Sequence, residues 1–99
     1  MRRRLLIHPE ALLEAEAAIE WYRDRSERAA IDFVTEVAVT IRRLSEHPAH
    51  FPVTELGVRS AILRRFPYAI VFRVTGRDVQ VVAIAHSRRQ PNYWKDRLS

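Results

Sequence analysis

Val79-Gln80-Val81-Val82-Ala83-Ile84-Ala85-His86 is apolar on both of its alternating faces, which places it centrally in a sheet that helices cover on one side. It is therefore read as a central strand. Immediately upstream, Thr75-Gly76-Arg77-Asp78 has the chemistry of a tight turn, and Tyr68 to Val74 reads as the preceding strand, so the two form a hairpin. Phe66-Pro67 separates this hairpin from another strand, Val58 to Arg65, and Pro48 to Gly57 is a loop that marks a change from helical to strand-like period.

Upstream of that loop the period is helical. From Ser26, a candidate N-cap, Ala30, Phe33, Val37, Ile41 and Leu44 recur at three- and four-residue steps as far as the stop at His47-Pro48. From Glu10 to about Asp24, Leu12, Ala15, Ile19 and Tyr22 make a second apolar stripe, with Glu10, Glu14, Glu16 and Glu20 read as its solvated outer face. The link Arg23 to Ser26 is too short for anything but an antiparallel helical hairpin. Arg3 to Ile7 is a short first strand ended by His8-Pro9, and Pro91 to Leu98 a last arm or helical turn. The order β-α-α-β-β-β predicts one α+β domain over residues 1–99. In it the helical hairpin packs on one face of a small, largely antiparallel four-stranded sheet, leaving part of the other face for function.

The net charge of +5 is unevenly placed: Met1 to His50 balances eight arginines against nine carboxylates, whereas Phe51 to Ser99 sets nine basic residues against Glu55, Asp78 and Asp96. The excess is almost all arginine, whose planar fork grips phosphate and carboxylate, so a polyanion or an acidic protein segment is the expected partner. The bland alternative is a solvated basic face. With no cysteine there is no thiolate nucleophile, disulfide or cysteine-based zinc site. The apolar run after Arg2-Arg3-Arg4 is too short for a signal peptide, and no stretch approaches a membrane span, so a soluble cytoplasmic protein is expected. His47-Pro-Ala-His50 has a spacing open to metal, but Pro48 breaks the helix that would align the two rings. It is read as an exposed loop. Trp21 and Tyr22 are read as packing residues, and Tyr68 and Phe72 as core on the face of Ile70 and Val74.

Four segments, His8-Pro-x-Ala11, Arg59 early in its strand, Phe66-Pro-Tyr-Ala-Ile-Val-Phe-Arg-Val74, and His86-Ser-Arg-Arg-Gln-Pro-Asn-Tyr-Trp-Lys-Asp-Arg97, occur in the order and spacing of one family. Together they resemble the RelE/ParE superfamily, the toxins of type II toxin–antitoxin pairs, which include plasmid stabilisation proteins. The resemblance implies a growth-arresting toxin silenced by a cognate antitoxin, with either ribosome-bound mRNA or DNA gyrase as target. The sequence itself gives no evidence for an organic cofactor or a membrane, and no small-molecule substrate is expected.

Were the chain a nuclease, metal-independent cleavage by the ribose 2′-hydroxyl would need a base, an acid and cations. His86, Arg88 and Tyr93 are the catalytic candidates, His86 being placed on the strand face of Val82 and Ile84. Arg59, Arg64, Arg73, Arg88 and Arg89 are the candidates for holding nucleic acid or a partner, and an antitoxin segment is expected over a groove near Arg59, Arg73 and Arg88. The chain departs from the resembled nucleases at Ala69 and near Gln90, where they carry basic residues, and in having no lysine before Lys95. A non-toxic basic binding module is the alternative. For the terminal arm, the structural reading is that Tyr93 and Trp94 cover the sheet while Arg88, Arg89 and Arg97 form weak surface ion pairs.

Overall fold

A computed structural model describes residues 3–54 and 56–99. Strand β1 (Arg4–Ile7) leads into helix α1 (Pro9–Arg23), helix α2 (Glu27–Glu46), and strands β2 (Arg59–Ile62), β3 (Tyr68–Thr75) and β4 (Asp78–His86). The predicted element order and the α+β class are observed. The sheet order is β1-β4-β3-β2, so β4 lies inside the sheet as its two apolar faces require. β4 and β2 each run antiparallel to β3, whereas β1 runs parallel to β4, which makes the sheet mixed.

Local chemistry accounts for the boundaries. The His8 ring nitrogen accepts from Glu10 N and caps α1, which begins with a proline that has no N–H to satisfy. Ser26 Oγ accepts from Ala29 N and caps α2. In the β3–β4 hairpin Thr75 pairs with Asp78, and Gly76 takes φ +60, the left-handed conformation that glycine adopts without a Cβ clash.

The buried stripe of α2 is the expected one at Ala30, Phe33 and Leu44, with Val37 and Ile41 half-buried. That of α1 differs. Ala11 and Ala18 are buried and Ala15, Ile19 and Tyr22 flank them, while Leu12 is half exposed. The alanines have small side chains, and their burial lets the α1 backbone approach β4 closely and rotates Leu12 outward.

Between Val71 and Phe72 of β3 the register with β4 slips: Val71 faces Ala83 and Phe72 faces Val81, which leaves Val82 as the extra residue of a β-bulge. The bulge resets the alternation. Val79, Val81 and Ile84 point into the helix-side core, whereas Val82 and Ala83 join Val58, Val71 and Trp94 in a second cluster on the opposite face. His86 therefore shares a face with Ile84 but not with Val82, which corrects the expectation drawn from simple alternation.

The opposite face is not left open for function as a whole. Trp94, 6% exposed, lies in its core cluster, and Tyr93 and Leu98 pack against that cluster from the same arm. The arm ends in a 3-10 turn, Lys95–Leu98. Phe72 is buried as expected, whereas Val74, at the hairpin-turn end of the same strand, is 38% exposed. No helix among the described residues is long and apolar enough to cross a membrane.

Candidate functional site

A dense polar junction forms among the described residues where β4 outruns β1. The parallel pairing ends at Ile7 opposite Val81, yet β4 continues to His86, so its backbone groups beyond Val81 on that edge lack a strand partner. Side chains supply one. Glu14 Oε1 on α1 accepts from Ile84 N at 3.0 Å, and Arg97 Nη1 donates to Val82 O at 3.1 Å. The two side chains also join each other through Arg97 Nη1 and Nη2, at 3.0 and 2.9 Å. The Tyr93 hydroxyl completes the group by donating to Glu14 Oε2 at 2.6 Å.

This clasp ties the terminal arm to α1 and β4 at once, and its electrostatics follow from its burial. Glu14 and Arg97 side chains are 15% and 14% exposed, so the pair is not the weak surface bridge expected for Arg97. Burial pushes the Glu14 carboxyl upward, but hydrogen bonds from Arg97, Tyr93 and Ile84 N, with the Arg97 charge, outweigh it and hold the carboxyl below its usual value. Burial, reinforced by the hydrogen bond to Glu14 and by its charge, raises the Tyr93 phenol strongly.

A groove of about 450 Å³ opens beside the clasp, lined by Glu14, Trp21, Tyr68, Ile84, His86 and Arg89 among others. The His86 ring stands edge-on to Tyr68, 4.9 Å between centroids, and its Nδ1 accepts from Arg88 N at 3.0 Å. Arg89 stacks on the Tyr93 ring, 3.8 Å from its centroid, and reaches Glu14 Oε2 at 4.0 Å. Trp21 is half exposed, not buried, with the Arg25 guanidinium 3.6 Å above its ring, whereas Tyr22 packs on Phe33 and Phe66 as expected.

Of the candidate residues, His86, Arg89 and Tyr93 are brought together here. The arginines are dispersed. Arg59 pairs with Phe72 on the helix side, and its Nη1 donates to Phe51 O at 2.6 Å. Arg73 lies on the arm side, where Nε donates to Gln80 Oε1 at 2.8 Å and Nη1 to Leu98 O at 3.1 Å. Arg88 is an exposed residue of the turn after β4. Arg59 and Arg73 point to opposite faces of the sheet, so among the described residues the two line no common groove with Arg88.

Arg64 instead joins Arg43 and Arg65 along a second groove, of about 580 Å³, between α2 and the edge strand β2. Its floor includes Val39 and Ile62, the latter 78% exposed. Glu36 organises this wall: its carboxylate accepts from the backbone N–H of Arg64 and of Arg65 and pairs with the Arg65 guanidinium at 3.6 Å. His47 and His50 are exposed and stack on each other at 4.9 Å, and no cluster of metal-ligating side chains occurs among the described residues.

Glu14 was missed by the sequence reading, which assigned all four glutamates of α1 to solvent. The signal lay in its spacing, three residues after Ala11 and four before Ala18, at the border of the buried stripe.

The family model for the ParE toxin of the type II toxin–antitoxin system parDE matches residues 5–91. The chain belongs to the ParE toxin family. Among solved structures, a chain of a chromosomal ParDE TA system from P. aeruginosa superposes with a TM-score of 0.74 at 22% identity, covering 86% of this chain and 96% of its own. At that identity the likeness speaks for the fold. No curated protein matches. For a ParE toxin the clasp has a plain structural consequence. It anchors the last segment, which lies beyond the matched residues, to the family domain.

Proposed function

We propose that this ParE-family toxin arrests growth by acting on DNA gyrase, without nuclease chemistry of its own, and that a cognate antitoxin neutralises it. The observation that carries this reading is the engagement of Tyr93. Its hydroxyl proton is directed at Glu14, and the phenol is held well above its ordinary value, so it is a poor acid for a leaving 5′ oxygen. The remaining nuclease candidates give little support to that chemistry. Arg59 and Arg73 are bound to carbonyls on opposite faces, His86 Nδ1 is occupied, and Ala69 stands where the resembled nucleases carry arginine. A cut through the 2′-hydroxyl needs base, acid and cations converging within hydrogen-bond reach of one phosphate.

For the antitoxin, the groove between α2 and β2 offers the chemistry an acidic segment requires. Arg43, Arg64 and Arg65 supply charge, Ile62 and Val39 supply apolar surface, and beyond Arg59, which Val53 bridges, β2 presents a strand edge with no strand partner among the described residues. Arg64→Glu with Arg65→Glu weakens antitoxin binding at least tenfold in a titration with the purified partner, and unchanged affinity would refute this placement.

The target is tested with purified gyrase and plasmid DNA. The protein is expected to inhibit supercoiling or to trap cleavage complexes at stoichiometric concentration, and Tyr93→Phe is expected to keep that action. An unaffected gyrase would overturn the reading.

A further inference from the structure

The outer side of the α1–α2 hairpin carries an apolar strip that the fold leaves uncovered. Around α2 from the buried Ala30, Phe33 and Leu44 come Ile31, Val34 and Ala38, all exposed, at steps of three and four residues. Ile31 and Val34 are 49% and 45% exposed. Arg23 and Glu27 border the same surface, sharing a shallow groove with Ile31 and Val34. On α1 the flank of Arg23 continues through Ile19 to the half-exposed Leu12, at helical spacing.

The order of residues along this strip is palindromic. Glu27 precedes Ile31 by the same interval that separates Ala38 from Arg42, and Val34 and Thr35 flank the midpoint. An isologous contact makes every interaction twice, so it demands this kind of self-complementary order. A twofold axis at Val34–Thr35, with two α2 helices antiparallel, sets Glu27 of one copy against Arg42 of the other, and Ile31 against Ala38. Both charges are available: Glu27 makes only a long bridge to Arg23, 3.8 Å with both side chains mostly exposed, and Arg42 has no ion pair among the described residues.

We propose that a second copy of this chain occupies the face, giving a symmetric dimer in which the two hairpins form a four-helix arrangement. The area sets its strength. Twenty residues of α2 extend roughly 30 Å, and with α1 alongside at about 8–10 Å the face offers on the order of 600 Å² per copy. Stable interfaces bury about 800 Å² per partner, so the contact belongs to the small, weakly associating class and its population depends on concentration. This inference does not depend on the target proposed above.

Sedimentation equilibrium of the isolated chain over roughly three decades of concentration around 10 µM tests it. The weight-average mass rises from 11.6 kDa toward twice that value. Val34→Glu, a half-exposed position where folding is retained and checked by circular dichroism, brings two carboxylates together at the axis and leaves the chain monomeric. Glu27→Arg and Arg42→Glu each raise the dissociation constant at least about fivefold, and the two together restore it. A chain monomeric throughout, a dimer indifferent to Val34→Glu, or a charge swap that fails to restore association would each overturn the proposal.

Discussion

Glu14→Gln keeps the size of the side chain and deletes the charge on which four donors converge: Tyr93 Oη, Arg97 Nη1 and Nη2, and Ile84 N. The glutamine oxygen can still accept from Ile84 N and one Arg97 nitrogen, but its amide then faces the other Arg97 nitrogen donor to donor. Removing one member of a buried ion pair costs about 3–5 kcal/mol, and a hydrogen bond to a charged group contributes about 1.5–3 kcal/mol. Arg97 keeps its bond to Val82 O, and the 15% exposure of Glu14 admits some water, so the loss is discounted to about 2–3 kcal/mol. For a domain of this size that is a fall in Tm of roughly 8–24 °C. Urea unfolding followed by circular dichroism measures it, and a cycle with Arg97→Met should show coupling of at least about 1 kcal/mol. A cost below about 0.5 kcal/mol with additive single variants would refute the clasp as a buried, cooperative unit.

The same group sets the acid limb of stability. A Glu14 carboxyl lowered in the folded state contributes stability that is complete above its unfolded value near 4.5 and is lost as pH falls through the lower folded value. Glu14→Gln should therefore flatten the acid limb in a series of urea melts. The Tyr93 phenol, raised in the folded state, loses its contribution as pH climbs above about 10, so Tyr93→Phe should be less sensitive to alkali than the parent. Trp94→Ala empties the centre of the second core and should cost about 3–5 kcal/mol in the same assay, whereas a mere surface flap would cost under about 1 kcal/mol. Gly76→Ala meets no atom within 4 Å but must take φ +60, and should cost about 1 kcal/mol by thermal melt from backbone strain alone.

The hairpin, the central β4 and the family resemblance were legible because each rests on local signals: helical spacing from Ala30 to Leu44, doubled apolarity from Val79 to Ala85, and turn chemistry at Gly76. The bulge at Val82 was not legible, since neither glycine nor proline marks it and only pairing with β3 shows the slip. That slip put Val82 on the wrong side of the expected His86 surface. Glu14 and Arg97 lie 83 residues apart, and their meeting depends on β1 ending before β4 does, a property of the sheet and not of either segment. The arginines were legible as charge but not as a site. Whether Arg59 and Arg73 share a face depends on strand register, and the register separates them.

The most direct test of the account is controlled expression in a bacterium, with plasmid supercoiling and the integrity of ribosome-bound transcripts followed in the same culture as growth stops. The account predicts loss of negative supercoiling while transcripts remain uncut, and a culture that resumes growth when the cognate antitoxin is supplied. Site-specific cuts in ribosome-bound mRNA, preceding any change in supercoiling and weakened by His86→Ala, would contradict it.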